Sequence, residues 1–429
     1  MVGRGLTSTA LRLARSIALK KEHGRLSHQF LTAASTIQGS SAFANLNTFS
    51  LAASGVKVTA RTQRFVSLVL PELDPAKLFA GIRTALEFGC ALAQELELPL
   101  RIVVLWGTPQ GQAANAVRSY LLREFKRQSN QETQIVPISS LSSLCVADDE
   151  IWIGTHWTTA HPLDVACRLG VLRPEQITYL VQDYEPGFFA WSTDFALARA
   201  TYHAGFNIVV NSSPLAAYLR EAEKLEIPDS MVFAPSLDLR RLQAAAIARR
   251  ADGPLQIMFY GRPSKPRNLF EIGMSALHLA ATTFENSRQP VQFVSAGESH
   301  PNRVLGSSTP LKVLGKVPWA NYFDLLANSD VVLSLQYSPH PSHPPLDAVV
   351  SGAYAVTNEL GNTRGKLHPR LLVAEADPTE LADQIVEAAV QRRKTSDVGF
   401  DPTFLDRLGN PIGLVTKSAA AKHAQTDDE

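Results

Sequence analysis

A basic loop after the apolar segment 255–260 is the first candidate for a binding site. Its sequence, GRPSKPRN (261–268), places three cations within six residues, directly before a helical segment. Guanidinium groups match phosphate oxygens in a bidentate way, a helix N-terminus adds partial positive charge, and glycine lets a ligand approach the backbone. We therefore predict a diphosphate site rather than a solvated basic loop. Its residues are Gly261, Arg262, Lys265, Arg267 and Asn268.

A loop rich in proline and histidine, SPHPSHPPLD, lies between an apolar and a helical segment. We predict that the helix begins near Pro345, so that the amides near Pro345 and Leu346 are open to an anion. Asp347 then falls in the first turn, where its carboxylate either accepts hydrogen bonds from sugar hydroxyls or only offsets the helix dipole. His340 is a further donor-binding candidate. A metal interpretation of the two histidines lacks a third ligand.

Two carboxylates and several aromatic rings follow the apolar segment 178–182. A carboxylate can act as a base or orient a hydroxyl group, and flat aromatic faces suit sugar rings. We predict Asp183 and Glu185 as catalytic residues. The alternative for the aromatic rings is that they form the core around the next helix. The acceptor-binding candidates are Gln182, Tyr184, Phe188 and Trp191.

Apolar segments that alternate with helical ones must position these loops. The predicted strands are 64–71, 101–107, 134–138, 150–154, 178–182, 206–211, 231–235, 255–261, 291–297, 311–315, 330–336, 353–358 and 371–376. Uninterrupted apolar strands separated by helices are typical of a parallel sheet covered on both faces. We predict two doubly wound α/β domains of the Rossmann-like type, facing a cleft, with ligands at the carboxyl edges of the strands. Gly81, after the first strand, and Gly315, at the end of another, are donor-binding candidates on this ground.

The charge of the 429-residue chain is unevenly distributed. Lys and Arg number 41 against 40 Asp and Glu, but residues 1–64 hold nine basic residues and one acid, a net charge of +8. The remaining 32 basic and 39 acidic residues give −7, which argues against nucleic-acid binding. The basic stretch 6–21 has helical spacing and fits either a peripheral membrane contact through residues 1–25 or a solvated extension.

Cysteine usage and hydropathy indicate the compartment. Three cysteines without a CxxC spacing argue against a disulfide framework or a structural zinc site, and they fit a reducing cytoplasm. No stretch of 18 or more apolar residues occurs, so no membrane-spanning helix is expected. GxGxxG, GxSxG and P-loop patterns are absent after the predicted strands. The predicted localisation is therefore cytoplasmic, with the inner face of the membrane as a possible place of peripheral contact.

Three long motifs, in this order, carry a family resemblance. They are YLVQDYEPGFFAWSTDFALARATY (179–202), FYGRPSKPRNLFEIG (259–273) and LSLQYSPHPSHPPLDAVVSGAYAVTN (333–358). They resemble the bacterial rhamnosyltransferases of the rhamnan-synthesis and surface-layer-glycan type, which are similar to glycosyltransferase family 4. The resemblance covers roughly residues 64–395 and implies the GT-B fold, with an acceptor-side domain over 64–250 and a nucleotide-sugar-binding domain over 251–410. Composition outside these domains predicts a basic extension and linker over 1–63, with a linker or loosely packed arm at 30–60, and a flexible tail over 411–429.

The resemblance also implies roles for individual residues. Arg262 matches the arginine of the family's Gly-Arg loop, and either Lys265 or Arg267 takes the place of its second cation. Asp347 matches the second acid of the Glu-x7-Glu signature, which holds the nucleotide ribose. The first acid would fall at Pro339, so its contact to the donor sugar is missing or comes from elsewhere.

The implied activity is transfer of a sugar, L-rhamnose or a related deoxysugar, from a nucleotide diphosphate donor to a hydroxyl of a growing glycan. The expected donor is dTDP-linked, the acceptor is a surface glycan that a lipid could carry, and no cofactor or metal is required. Arg262 would stabilise the leaving diphosphate, and Asp183 or Glu185 would act on the acceptor hydroxyl. Two alternatives are a nucleotide-sugar epimerase of the same fold and a non-catalytic glycan-binding relative.

Overall fold

The computed structural model of the protein describes residues 43–60, 62–78, 80–125, 132–249, 253–365, 367–394 and 399–425. The chain divides into two compact units. The first takes its residues from before position 181, from 188–208 and from 419 onward, and the second from 181–187 and 209–418. The basic stretch 6–21 lies outside the described residues, so its membrane contact stays a prediction.

The first half of the chain builds a parallel sheet. Its strands are β1 (Lys57–Val58), β2 (Val66–Glu72), β3 (Leu100–Trp106), β4 (Thr133–Pro137), β5 (Cys145–Val146), β6 (Ile151–Gly154), β7 (Ile177–Val181), β8 (Asn207–Asn211) and β9 (Val232–Phe233). Its helices are α1 (Phe43–Ser54), α2 (Ala80–Glu95), α3 (Gln112–Glu124), α4 (Trp157–Arg168), α5 (Thr193–Thr201), α6 (Ser213–Ala222) and α7 (Leu239–Ile247). The sheet order is β4-β3-β2-β6-β7-β8-β9, and β1 pairs separately with β5.

The second half repeats this plan. Its strands are β10 (Leu255–Gly261), β11 (Val291–Gly297), β12 (Arg303–Leu305), β13 (Thr309–Gly315), β14 (Val331–Leu333), β15 (Tyr354–Asn358) and β16 (Leu371–Ala374). Its helices are α8 (Phe270–Asn286), α9 (Trp319–Asn328), α10 (His343–Val350), α11 (Pro378–Lys394) and α12 (Ile412–Gln425). The sheet order is β12-β13-β11-β10-β14-β15-β16, in which β12 is an antiparallel edge strand.

The strand order in each sheet determines where a ligand can bind. In each sheet the first strand in chain order lies in the middle. The next strands lie on one side of it, and the later strands lie on the other side. The order therefore reverses between β2 and β6 in the first sheet and between β10 and β14 in the second. The loops at the carboxyl ends of these strand pairs splay apart, and ligands of doubly wound sheets bind in the resulting crevice.

Alternating side chains of β10 show that helices cover both faces of the second sheet. Ile257 and Phe259 pack against α8 and α11, whereas Met258 packs into a second core with α9 and α10. Both clusters consist of fully buried apolar residues, which is why the strand lacks polar interruptions. The predicted strand segments and the predicted two-domain α/β fold class are confirmed.

The helix α8 shows how the sequence pattern produces this packing. Its apolar residues Phe270, Met274, Leu277, Ala281 and Phe284 recur at intervals of four and three, and all are buried. At 3.6 residues per turn this spacing places them in one stripe along the helix. The stripe lies in the core with Phe259 and with residues of α11.

The linker predicted before residue 64 is wrong for residues 43–54. They form helix α1, whose Leu46 and Phe49 are buried. Leu46 packs in a small core with Trp157 of α4, and the Phe49 ring makes an edge contact with Trp106 at 5.0 Å. The segment is short, and its Ser, Ala and Asn residues interrupt the helical spacing of its apolar residues. Only the tertiary contacts therefore reveal that it is ordered.

The flexible tail predicted over 411–429 is wrong for residues 412–425. They form helix α12, in which Val415 and Ala419 are buried. His423 is also buried, and its Nε2 lies 2.9 Å from the Thr178 Oγ1 of β7. The helix is alanine-rich with a weak apolar stripe, so its sequence carried little sign of what it packs against.

A search of the described helices for a membrane span finds none that is long enough and apolar enough to cross a bilayer.

Candidate functional site

The basic loop and the histidine-rich loop that were predicted from sequence meet in the second sheet, at the point where its strand order reverses. One loop follows β10 and the other follows β14. The Tyr337 backbone N–H donates to the Arg267 carbonyl at 2.6 Å, and the Asn268 side-chain amide donates to the Leu335 carbonyl at 3.0 Å. The motifs are about 70 residues apart in sequence, yet they form one crevice wall at the place where doubly wound sheets bind ligands.

Arg262 is positioned by a carboxylate at the end of the neighbouring strand β11. The Glu298 side chain accepts hydrogen bonds from the Ser264 N–H at 2.9 Å and from the Ser264 hydroxyl at 2.7 Å. Its Oε1 lies 3.4 Å from the Arg262 Nε. Although partial burial opposes the effect, these hydrogen bonds and the guanidinium lower the pKa of Glu298. Glu298 thus stays charged, and it holds the loop by a contact with Nε rather than with the terminal nitrogens of Arg262.

Gly261 and Gly297 allow the tight packing behind Arg262. Gly297 has φ of +125°, and a Cβ placed on it would lie 2.6 Å from the Gly261 carbonyl oxygen and 3.1 Å from the Arg262 Cγ. A side chain at position 297 would therefore displace the arginine. This glycine is a functional residue that sequence reasoning missed, although its place at the end of a strand was a usable signal.

The other two cations of the basic loop differ in their surroundings. Lys265 is exposed, and its backbone N–H donates to the Arg262 carbonyl in a tight turn. Arg267 is half-buried, and its Nε lies 3.8 Å from the Asp183 Oδ2. Which of the two is the second diphosphate cation stays open, with Arg267 nearer to the buried part of the crevice.

Asp183 joins the same cluster of side chains, in the segment 181–187 that belongs to the second unit. Its Oδ1 accepts hydrogen bonds from the Ser338 hydroxyl and from the Tyr184 N–H, the latter at 2.9 Å. Burial raises the pKa of Asp183, and the hydrogen bond from Ser338 and the charge of Arg267 oppose that rise. Asp183 thus lies beside Arg267 of the basic loop, although its motif was assigned from sequence to the acceptor-side domain.

A fully buried arginine that the sequence did not reveal holds the loop after β14 in place. The Arg364 guanidinium donates to the carbonyls of Gln336, at 2.8 Å, and of Ser338 and Asn358. Burial lowers the pKa of Arg364 to about 10, which leaves it charged at neutral pH. It lies in a polar loop after β15 with no recognisable motif, because its function depends on carbonyls that are distant in sequence.

The helix after this loop begins two residues earlier than predicted, at His343 rather than near Pro345. Pro344 and Pro345 occupy its second and third positions, where proline removes amides that a helix N-terminus would offer to an anion. Leu346 is the fourth residue, whose amide bonds within the helix. The prediction of anion-binding amides near Pro345 and Leu346 is therefore wrong, and the first-turn amide that helix geometry leaves is that of His343.

Ser342, which precedes this helix, has a strained backbone. Its φ of +67° and ψ of 159° fall in a region that residues other than glycine rarely adopt. Such a conformation costs about 1–3 kcal/mol and clusters at ligand sites. The Ser342 N–H donates to the His340 Nδ1 at 3.1 Å, so the strain accompanies a specific placement of that imidazole.

Asp347 lies in the second turn of α10 rather than in its first turn, since the helix starts early. Its Oδ2 accepts a hydrogen bond from the Tyr322 hydroxyl of α9 at 3.0 Å. Burial raises its pKa to about 7, even though the Tyr322 hydrogen bond opposes the rise. The Tyr322 ring stacks on Trp319, which is 57% exposed, at a centroid distance of 5.8 Å. A role in offsetting the helix dipole is thereby disfavoured, because that effect requires the first turn.

We expect the stability gained by replacing Asp347 with asparagine to rise with pH. The pKa of Asp347 is about 7 in the folded state, above the ordinary 3.8. The protonated carboxyl therefore contributes fully to the free energy of unfolding below pH 4, and this contribution is lost as the pH rises through about 7. Asparagine does not titrate, so only the wild type is destabilised as the pH rises. The free energy of unfolding of Asp347→Asn minus that of wild type should therefore increase by about 2–4 kcal/mol between pH 4 and 8. Urea unfolding at several pH values measures it.

The exposed Asp324 of α9 offers a matched control. The Asp324→Asn variant undergoes the same chemical change without burial and should show a difference from wild type that varies little with pH. A difference for Asp347→Asn that is equally constant between pH 4 and 8 would contradict the raised pKa.

The remaining acceptor-side candidates occupy different surroundings. The Tyr184 hydroxyl donates to the Glu223 Oε1 at 2.7 Å, and Glu185 is buried, with 3% of its surface exposed. Trp191 is 91% exposed and stacks on Phe195 at 5.1 Å, so the core interpretation is wrong for this ring. Gln182 is half-buried at the end of β7.

A histidine at the strand-order reversal of the first sheet was missed. His156 directly follows β6, and its ring stacks on Phe188 at a centroid distance of 6.5 Å. Burial lowers the pKa of His156 to about 4, so the ring is neutral at physiological pH. Its position after a predicted strand was a signal in the sequence, and the stacking places the Phe188 ring beside this histidine in the first unit.

The two outlying glycines lie in different units. Gly81 is exposed, in the first turn of α2 after β2. Gly315 ends β13 with φ of +64°, and a Cβ there would lie 2.6 Å from the Ser299 Oγ. Gly315 is thus required for close packing beside the loop after β11. Within the described ranges, no group of three or more His, Cys, Asp or Glu side chains could hold a metal ion.

Comparison with known proteins adds a family and a fold. The family models described as the N-terminal and the C-terminal domain of WsaF match residues 65–213 and 255–386, together about two thirds of the chain. The O-antigen biosynthesis protein RfbC of Myxococcus xanthus is 30% identical over 250 residues, which cover 57% of this chain and 19% of that protein. The chain thus matches about a fifth of the length of that curated relative.

Solved structures share the architecture. The trehalose-phosphate synthases of Burkholderia vietnamiensis and Burkholderia multivorans align with TM-scores of 0.54 and 0.52, at 11% and 10% identity, over 86% of this chain and 100% and 99% of theirs. Anabaena HepE, solved with UDP-glucose, aligns with a TM-score of 0.50 at 13% identity, over 84% and 99% of the two chains. These likenesses confirm the predicted GT-B fold with its two Rossmann-like sheets.

Proposed function

Because the chain belongs to the family defined by the WsaF N-terminal and C-terminal domains, we propose that it is a glycosyltransferase of surface-glycan synthesis. It moves a sugar from a nucleotide diphosphate donor to a hydroxyl of a growing polysaccharide. The observation that carries the proposal is the joining of the loops after β10 and β14 by hydrogen bonds between residues 267 and 337 and between 268 and 335. Arg262, Lys265 and Arg267 thereby lie at the carboxyl edge of the second sheet, which is where doubly wound sheets generally bind ligands.

The charge of this edge fits a diphosphate leaving group. Arg262 and Arg267 each face one carboxylate, Glu298 and Asp183, through Nε, and Lys265 adds a further cation at the surface. Preorganised guanidinium groups stabilise the charge that develops on the diphosphate as the glycosidic bond breaks. The donor's leaving group would therefore be held by this chain's own cations.

The donor that we propose is a dTDP-linked deoxysugar such as L-rhamnose. A relative described as an O-antigen biosynthesis protein supports a surface polysaccharide as the product. A nucleotide sugar as the donor class is supported by HepE, which shares the fold and was solved with UDP-glucose. Asp347 is a single buried carboxyl held by Tyr322, which suits a deoxyribose with few hydroxyls more than a ribose that needs two acceptors.

Asp183 is the carboxyl that we propose as the base for the acceptor hydroxyl. Its side chain is 15% exposed, whereas Glu185 is 3% exposed and thus less open to an acceptor. A pKa raised by burial makes the carboxylate a better proton acceptor near neutral pH. Its hydrogen bond from Ser338 places it on the same loop cluster as the donor-binding residues.

The Asp183→Asn variant should lose turnover while keeping the donor. Asparagine preserves an oxygen for the hydrogen bonds from Ser338 and Tyr184 but cannot accept the acceptor's proton. We expect kcat to fall about 100- to 10,000-fold, and the Kd for the nucleotide diphosphate to change only a few-fold. Steady-state kinetics and calorimetry on the same preparations measure the two effects. The Glu185→Gln variant serves as the comparison, and a larger loss of kcat there would reassign the base.

A panel of nucleotide sugars tests the proposed function directly. Each of several dTDP-, UDP- and GDP-linked sugars is mixed with the full chain, and the melting temperature is recorded. A ligand present at 100 times its Kd stabilises the folded state by about 2.7 kcal/mol, so the true donor should stand out. Binding of no nucleotide sugar and no nucleoside diphosphate would refute the proposal. Conversion of a bound donor to another sugar nucleotide without any acceptor would indicate an epimerase instead.

A further inference from the structure

His340 is a buried imidazole whose orientation is determined by its neighbours. The residue is 6% exposed, in the loop after β14. Its backbone N–H donates to the Ser338 hydroxyl at 3.3 Å, and its Nδ1 accepts the Ser342 N–H at 3.1 Å. Because Nδ1 is an acceptor, a neutral ring must carry its proton on Nε2. The hydrogen-bond pattern thus assigns the tautomer.

The ring is also kept neutral. Burial, together with the nearby His343, Arg364 and Arg267, lowers the pKa of His340 to about 3, because a further cation there would be poorly solvated and repelled. Nε2 therefore remains a donor, and the ring uncharged, at physiological pH. His343 lies beside it, with the two rings stacked at a centroid distance of 6.2 Å.

The Nε2–H group of His340 has no hydrogen-bond partner among the described residues. The Asn268 Oδ1 and the Ser334 Oγ, on the same two loops, likewise have none in the described part of the chain. An unsatisfied buried polar group costs about 1–3 kcal/mol, so such groups are rare in folded proteins. Of these groups, the His340 Nε2–H and the Ser334 hydroxyl can donate to an anionic oxygen, whereas the Asn268 Oδ1 only accepts and requires a different partner. The unsatisfied Nε2–H therefore indicates an occupant that accepts its hydrogen bond.

We propose that the His340 Nε2 donates a hydrogen bond to a phosphoryl oxygen of the nucleotide diphosphate, as a neutral donor. This inference rests on the proposed function. Arg267 and Arg364 act on the imidazole as nearby positive charges, and the Asp183 carboxylate of the same cluster accepts a hydrogen bond from Ser338. In such a desolvated and positively charged place, an anionic oxygen is a stronger acceptor than a sugar hydroxyl.

Two substitutions separate the role of the His340 Nδ1, which accepts the Ser342 N–H, from the role of Nε2, which is proposed to donate to the ligand. In His340→Asn the amide oxygen lies close to the position of Nδ1 and still accepts the Ser342 N–H, but no donor reaches the position of Nε2. In His340→Gln the longer side chain places its NH2 group near the position of Nε2, while the acceptor for Ser342 is lost. The Asn variant should keep its melting temperature, and the Gln variant should keep its ligand affinity.

Calorimetry with dTDP, UDP and the corresponding monophosphates on the full chain provides the test. We expect His340→Asn to weaken binding of the preferred diphosphate about 10- to 100-fold, and His340→Gln to weaken it less than about fivefold. Unchanged diphosphate affinity in His340→Asn would overturn the inference and leave the proposed function standing. Loss of affinity only for the nucleotide sugar, with free diphosphate unaffected, would overturn it in favour of a sugar hydroxyl. Absence of any binding to wild type would instead refute the proposed function.

A measurement on the wild type covers the case in which a variant does not fold. Nitrogen-15 labelling of histidine, with His340→Asn or His340→Gln used to assign the signal, reports which ring nitrogen carries the proton. We expect the Nε2–H tautomer from pH 6 to 9, and a shift of its proton signal on adding the diphosphate. A proton on Nδ1, or a signal that the diphosphate leaves unchanged, would overturn the proposal, the latter indicating a buried water as the partner.

Discussion

Replacing Arg262 with alanine is expected to lower kcat about 100- to 1,000-fold while changing the melting temperature little. The guanidinium is proposed to stabilise charge on the leaving diphosphate, and removing one such preorganised donor typically has an effect of that size. Its contact with Glu298 is a partly exposed ion pair at 3.4 Å, and such pairs contribute at most about 1 kcal/mol. Steady-state kinetics with the identified donor, together with thermal unfolding, measure both quantities.

Arg303 offers a matched control for this prediction. It lies on the edge strand β12 and also pairs with a glutamate, Glu271, at 3.3 Å. The Arg303→Ala variant should therefore keep full turnover with a similar small change in stability. The Arg262→Lys variant should recover only part of the activity, because an ammonium cannot bind two phosphate oxygens in parallel. Equal losses of turnover and stability in Arg262→Ala would contradict the assignment.

Replacing Arg364 with methionine is expected to produce the largest loss of stability, about 3–5 kcal/mol. Methionine fills part of the volume but leaves the buried carbonyls of Ser338 and Asn358 without the arginine donor, while the Gln336 carbonyl keeps the Asn358 side-chain amide at 3.1 Å. Because the Gln336 and Ser338 carbonyls belong to the loop that carries His340, donor binding should fall as well. Urea unfolding measures the stability, and calorimetry with the nucleoside diphosphate measures the affinity.

Arg407 provides the comparison for this buried arginine. Its guanidinium donates to one carbonyl, that of Leu367, at 2.7 Å near the surface. The Arg407→Met variant should lose less than about 1 kcal/mol, since water can replace the lost donor. Arg364→Lys should remain strongly destabilised, because one ammonium cannot reach carbonyls on two sides. A loss in Arg364→Met no larger than that in Arg407→Met would show that the loop does not depend on this residue.

The arrangement of the basic loop was predictable from local sequence. The strand 255–261 ends where its apolar run ends, and the cations follow at once. In a doubly wound fold the loop after a central strand faces the ligand, so finding the strand was enough to place Arg262. The same reasoning placed Asp183 after β7 and His340 after β14, because in each case the polar motif directly follows an uninterrupted apolar segment.

Other parts of the site depend on partners that are far away in sequence. Gly297 matters because the Gly261 backbone passes 2.6 Å from where its Cβ would be. Arg364 matters because three carbonyls from other segments converge on it. Neither requirement leaves a local pattern, since hydrogen bonds and close packing between loops have no period along the chain. Helix α10 was misplaced by two residues because prolines can occupy any position of a first turn, so Pro345 did not locate the helix start.

The alternating apolar segments by themselves determined the fold class, a two-domain α/β chain, and the basic loop after β10 led to the prediction of a phosphate site. Apolar periodicity encodes which segments are buried, and the strand ends then indicate the loops that face a ligand. Only the tertiary structure decided how the individual side chains function. Protonation, tautomer and orientation at Asp347 and His340 follow from burial and from hydrogen bonds to Tyr322 and Ser342. Those are properties of the surroundings, and the surroundings exist only once the chain has folded.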